Sequence, residues 1–98
     1  MSKMTIVVPP QLDAAVAASF RDHVRSLVQP DLKVLELDLS TTQFMDSSGL
    51  GVLLALHKTL QAQKGRVILV NPGLQVVQLL ELTRLHKIIE VDQRFREA

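Results

Sequence analysis

Apolar residues recur along this chain in two alternating rhythms. Thr5 to Val8 is β-branched and aliphatic, and Pro9-Pro10 ends the run because neither proline donates to a sheet ladder. From Leu12 to Val28 the apolar positions Leu12, Val16, Phe20, Val24 and Leu27 step by four, four, four and three. Arg21, Asp22 and Arg25 fall on other faces, so the spacing predicts an amphipathic helix. Asp13 serves it as N-cap or first-turn acid, and Gln29-Pro30-Asp31 stops it. Lys33 to Leu39 alternates as a strand, and Ser40 to Gln43 is a short loop after which Phe44 and Met45 are expected to turn inward.

A second helix follows from the serines at 47 and 48, with an inner stripe of Leu50, Leu53, Leu54, His57 and Leu60. Val52 and Leu56 fall outside that stripe. Gln63-Lys64-Gly65 closes the helix, with the glycine expected in the left-handed position that often ends helices. Arg66 to Val70 is a third strand, and Asn71-Pro72-Gly73 turns into a third helix, Leu74 to Leu82, with a core face of Val76, Leu79 and Leu80. Ile88 to Val91 reads as a fourth strand, and the charged tail from Asp92 to Ala98 as a short helix or frayed end. This β-α-β-α-β-α-β order with short connections predicts an α/β fold, a small, mostly parallel four-stranded sheet. Glu36 and Asp38 alternate with Leu35, Leu37 and Leu39, so one sheet face is expected to be solvated and the helices to cover mainly the other.

At 98 residues and 47% apolar composition the chain suits one small domain, residues 1–98, with one core. Eleven basic and ten acidic residues leave a formal charge of +1, and no basic cluster with interleaved aromatics suggests direct nucleic-acid binding. Cysteine is absent, which excludes disulfides and thiolate chemistry and fits a reducing compartment, the cytoplasm by default. Leu50 to Leu56 is strongly apolar, but His57 and Lys58 end it far short of the ~20 residues of a membrane span, so no membrane insertion is expected.

Chemistry concentrates in Phe44-Met45-Asp46-Ser47-Ser48-Gly49-Leu50-Gly51. A strand leads into this octet and a helix leaves it, which sets two hydroxyls at a helix start. Unpaired N–H groups and the positive end of the macrodipole favour an anion there, and a phosphate on serine is such an anion. Asp46 or Ser48 doubles as an N-cap. His23, His57 and His86 are scattered, so no metal site is expected, and Glu36 with Asp38 lacks any accompanying nucleophile. Gly49 and Gly51 lack the lysine and spacing of a nucleotide-binding loop. The chain reads as a kinase's substrate, without cofactor or catalytic constellation of its own.

The octet, the Leu37-Asp38-Leu39 strand before it, Asn71-Pro72 and Leu85-His86-Lys87-Ile88-Ile89 together resemble the anti-sigma-factor antagonist (STAS domain) family over roughly Leu12 to Val91. The resemblance implies the same small α/β sheet, phosphorylation at Ser47, an anti-sigma factor with serine-kinase activity as partner, and a separate phosphatase. Gln11-Leu12-Asp13 matches the end of the family's Gly-Glu-Leu-Asp segment, which places Asp13 on the partner-binding surface with Asp46, Ser47, Ser48 and Gly49. Pro10 stands where the family has its glycine, and most members carry a further strand upstream. Val52 and Leu56 either pack under a neighbouring helix or form an apolar docking patch beside Ser47. Gly49 is expected to leave room for the kinase and Gly51 for a tightly packed neighbour. The first strand also offers an edge for pairing in a homodimer. A rival reading, also resting on the family, is a small accessory subunit that binds the ATPase of a membrane transport assembly.

Overall fold

A computed structural model of the chain describes residues 2–94. Its main sheet orders β1 (Lys3–Val7), β3 (Val34–Asp38), β5 (Arg66–Val70) and β6 (Glu90–Asp92), every pair parallel. Three helices connect them: α1 (Ala17–Leu27), α2 (Ser47–Ala62) and α3 (Leu74–Leu82). Leu35 and Leu37 of β3 and Val67 and Leu69 of β5 join Phe20 and Val24 of α1, Leu53, Leu56 and Leu60 of α2, and Val76 and Leu80 of α3 in one core. The small α/β sheet read from the hydrophobic pattern is the fold observed.

Four local readings are corrected. The first helix starts at Ala17, not Leu12, because Gln11–Leu12 forms a two-residue strand, β2, beside β4 (Phe44–Met45). Met45 does turn inward, but Phe44 is 51% exposed, since neighbours on a strand face opposite ways. At the end of α2 the left-handed residue is Lys64 (φ 60°), and Gly65 has a negative φ. A Cβ on Gly65 would meet the Lys33 carbonyl at 2.7 Å, so this glycine serves a close backbone approach. The fourth strand runs Glu90–Asp92 because a 3₁₀ turn at Leu85–Lys87 takes up the residues before it. Of the tail, Asp92 lies in β6 and the last four residues lie outside the described range.

Glu36 is also corrected. It lies in the Thr5–Glu36–Ile68 row of the sheet's second face, yet it is 2% exposed. Arg94 binds both carboxylate oxygens, the Thr5 hydroxyl donates at 2.9 Å, and Lys3 Nζ lies 3.2 Å away. Arg94 also reaches Asp92 at 3.0 Å, and its backbone N–H donates to Asn71. The Arg94 guanidinium and these donors outweigh desolvation and hold the Glu36 carboxyl down at about 2. An alternating pattern cannot distinguish a solvated carboxylate from one closed over by a distant arginine.

Candidate functional site

The short β2–β4 ladder builds the site. Leu12 pairs with Met45, and the Pro10 carbonyl accepts from the Gln43 and Phe44 N–H groups at 2.7 and 3.1 Å. Thr42, buried, ties the same corner by donating its hydroxyl to the Val8 and Pro9 carbonyls. One residue beyond the Leu12–Met45 pair stand Asp13 on one strand and Asp46 on the other. The loop at Asp13 and the start of α2 are therefore brought together across 33 residues of sequence by two paired residues.

Asp46 is the N-cap of α2, in extended backbone geometry. Its Oδ1 accepts from the N–H groups of Ser48 at 2.9 Å and Gly49 at 3.2 Å, and its carbonyl accepts from Leu50. Ser47 is the first helical residue and is exposed, and among the described residues its hydroxyl makes no hydrogen bond. Ser48 is half-buried. Two of the anion-welcoming N–H groups expected at the helix start, those of Ser48 and Gly49, are thus already used by the Asp46 side chain. A group added to the exposed Ser47 hydroxyl would stand beside a carboxylate, with the macrodipole in its favour.

Asp13 turns its side chain on its own loop, accepting from the Ala15 N–H at 3.0 Å, while its carbonyl accepts from Val16 and Ala17. It caps the turn that enters α1 and remains half-buried. Asp13, Asp46, Ser47 and Ser48 therefore share one corner of the molecule. Val52 and Leu56 do not join them: they are 4% and 0% exposed and belong to the core, so the docking-patch alternative is removed. The buried stripe of α2 is Gly49, Val52, Leu53, Leu56 and Leu60, and Leu50, Leu54 and His57 of the expected stripe are half-buried along one side of it. The inner face is thus turned by roughly a quarter of the helix circumference from the one expected, because α2 is buried against both α1 and β5.

The two glycines exchange their expected roles. A Cβ at Gly49 would stand 2.4 Å from the Leu12 carbonyl oxygen and 2.6 Å from Met45 Cγ, so this buried glycine lets the β2–β4 ladder close onto α2. It is an internal fitting for the corner, not a clearance for an incoming kinase. Nothing lies within 4 Å of a Cβ at Gly51, where tight packing was expected. The sequence reading missed Phe44, whose exposed ring lies three residues before Ser47 and which helps line a groove of about 150 Å³ with Gln75, Val76 and Leu79 of α3. Strand alternation, with Met45 inward, was the signal for it.

Comparisons with known proteins place the fold in a family. The STAS domain model matches residues 3–98. An anti-sigma-B factor antagonist of Listeria monocytogenes is 30% identical over 86 residues, covering 88% of this chain and 75% of that protein. A high affinity sulfate transporter of Stylosanthes hamata is 33% identical over 66 residues, which take up 67% of this chain but 10% of the transporter. Among solved structures, the anti-sigma factor antagonist SpoIIAA in its unphosphorylated form superposes with a TM-score of 0.82 at 23% identity, covering 97% of this chain and 82% of that one, a likeness of fold. A family model that matches nearly the whole chain leaves one conclusion: this chain belongs to the STAS domain family.

Proposed function

We propose that this chain is an anti-sigma-factor antagonist, a non-enzymatic binding module of one domain that works in the cytoplasm and whose hold on its partner is set by phosphorylation of Ser47. The observation that carries this reading is the exposed Ser47 hydroxyl, without a hydrogen bond among the described residues, at the first position of α2 and set beside the Asp13 loop by the β2–β4 ladder. Similarity to an anti-sigma-B factor antagonist supports it. Unphosphorylated, the corner formed by Asp13, Asp46, Ser47 and Ser48 docks an anti-sigma factor, which is also the serine kinase. Phosphorylation adds ~1.5 to 2 negative charges beside the Asp46 carboxylate, and a protein interface would have to desolvate them. Binding is lost while the helix, capped by Asp46 and not by Ser47, stays formed. A separate phosphatase restores the starting state.

A second reading is a subunit of a transport assembly, favoured by the 66-residue similarity to a sulfate transporter. Affinity capture with the unphosphorylated protein and mass spectrometry of both partners separates the two. Recovery of a histidine-kinase-like ATPase, with phosphoserine at position 47 after incubation with ATP, supports the switch. Recovery of a transport ATPase and an unmodified Ser47 refutes it.

A further inference from the structure

Building on the reading of Ser47 as an interface residue, we propose that the groove between α1 and α2 receives an acidic, partly apolar segment of the same protein partner. The groove has a volume of about 390 Å³ and is lined by Arg25 of α1 and by Gly51, Leu54, Ala55, Lys58 and Thr59 of α2. Positions 51, 54, 55 and 58 follow helical spacing and form one face of α2, and Ser47 stands one turn before Gly51 on that same face. The groove thus leads away from Ser47 along the helix.

Its charge selects the occupant. Arg25 and Lys58 are exposed, and among the described residues neither makes an ion pair, which is also true of Lys33, Lys64, Arg84 and Lys87; what sets Arg25 and Lys58 apart is that both line this one groove. Two uncompensated cations over a floor of Leu54 and Ala55 complement a segment that carries carboxylates on either side of small or aliphatic residues. Gly51 adds an independent observation. A glycine inside a helix is ~1 kcal/mol worse than alanine, and no internal neighbour uses the space left here. That space lets a partner's main chain approach α2.

The same occupant links the groove to Ser47. Lys58 stands 11 residues from Ser47 along α2, ~16 Å at ~1.5 Å per residue and about twice the ~8 Å over which physiological salt screens charges, whereas Gly51 is only about one turn away. A phosphate on Ser47 therefore acts on the part of the segment that passes Gly51 and repels any carboxylate there, while Arg25 and Lys58 hold the segment farther along the groove.

The test is calorimetric titration of the purified anti-sigma factor recovered with the unphosphorylated protein, at low and physiological salt. The titrand is wild type, Arg25→Glu/Lys58→Glu, Lys87→Glu as a charge control, or Ser47→Asp. The double variant is expected to bind at least tenfold more weakly with a flatter salt dependence, and Lys87→Glu to stay within twofold of wild type. Wild-type affinity and salt dependence in the double variant overturn the groove assignment. If Ser47→Asp still loses affinity in that case, the Ser47 interface stands without the groove. Full-strength binding by Ser47→Asp and by the phosphorylated protein, with a weakened double variant, refutes the switch and leaves the groove as a docking site. Melting curves verify that each variant is folded, and Arg25→Gln/Lys58→Gln replaces the double variant if charge reversal prevents folding.

Discussion

Gly49→Ala and Gly51→Ala place one methyl group at two positions a half-turn apart on α2, and the structure expects opposite outcomes. Intrinsic helix preference favours alanine by ~1 kcal/mol at each site. At Gly51 nothing opposes it, since beyond the helix's own backbone and the adjoining residues nothing lies within 4 Å of the added carbon, so the full gain is expected. At Gly49 the methyl meets the Leu12 carbonyl oxygen at 2.4 Å and Met45 Cγ at 2.6 Å. The methionine side chain can swing aside, but the carbonyl belongs to β2, which is held to Phe44–Met45 by its ladder. Overpacking of this kind costs ~1 to 3 kcal/mol, and because backbone must move the upper end applies. The net expectation is a loss of about 1 to 2 kcal/mol for Gly49→Ala against a gain of about 1 for Gly51→Ala. At ~4 to 8 °C per kcal/mol for a chain of this size, the melting temperatures of the two variants should lie roughly 10 °C or more apart. Thermal melts followed by circular dichroism decide it. Equal melting temperatures, or a more stable Gly49→Ala, would refute the claim that β2 closes directly onto the first turn of α2.

Three further outcomes are expected. Ser47→Ala should change stability by less than about 0.5 kcal/mol, because Ser47 supplies no cap, while abolishing phosphate incorporation by the cognate kinase as read by mass spectrometry. Asp46→Ala should cost about 1 kcal/mol in urea titration, since it frees the Ser48 and Gly49 N–H groups together. Glu36 titrates at about 2 in the folded chain and at its ordinary 4.5 unfolded, so its contribution is complete above pH 4.5 and fades as pH falls towards 2. The shift corresponds to at most about 3 kcal/mol, and solvent around the half-exposed Lys3 reduces it to about 1 to 3. Urea midpoints measured from pH 6 to pH 2.5 on wild type and Glu36→Gln should show the variant losing less stability on acidification, and parallel pH profiles would contradict the ion-pair assignment.

The strands, the helices and their order were legible because burial of one face imposes a period that the chain displays openly. Leu35 and Leu37 alternate with Glu36, and Phe20 and Val24 repeat every helical turn. What escaped this reading are features made by contacts between distant segments. Gln11–Leu12 looked like the start of a helix because two residues carry no period of their own; they are extended because Phe44–Met45 pairs with them. Arg94, 58 residues away along the chain, makes Glu36 a buried ion-pair partner. Val52 and Leu56 were set outside the inner stripe because the run from Leu50 to Leu56 offers apolar side chains on more than one helical face, and packing against α1 and β5 decides which of them turns inward.

The candidate site divides along the same line. Asp46, Ser47 and Ser48 could be placed from sequence, since a polar cluster between a strand and an apolar helical run marks a helix start regardless of tertiary context. Which of the three caps could not, because the choice depends on the backbone at Asp46, and β4 holds that residue extended through its pairing with β2. This allocation bears on the proposed switch. Had Ser47 been the cap, its phosphorylation would have altered the helix start itself, and binding and folding would have changed together. With Asp46 in that role, the Ser47 hydroxyl is free of structural duty, and a charge added there acts on whatever approaches the surface. Ser47→Asp should therefore leave the unfolding free energy from urea titration within about 0.5 kcal/mol of wild type, because macrodipole stabilisation and repulsion from Asp46 act in opposite directions. Partner affinity should fall in the same variant. An unfolding free energy lowered by about 1 kcal/mol or more would mean that Ser47 shares the capping, and that the modification acts through the fold.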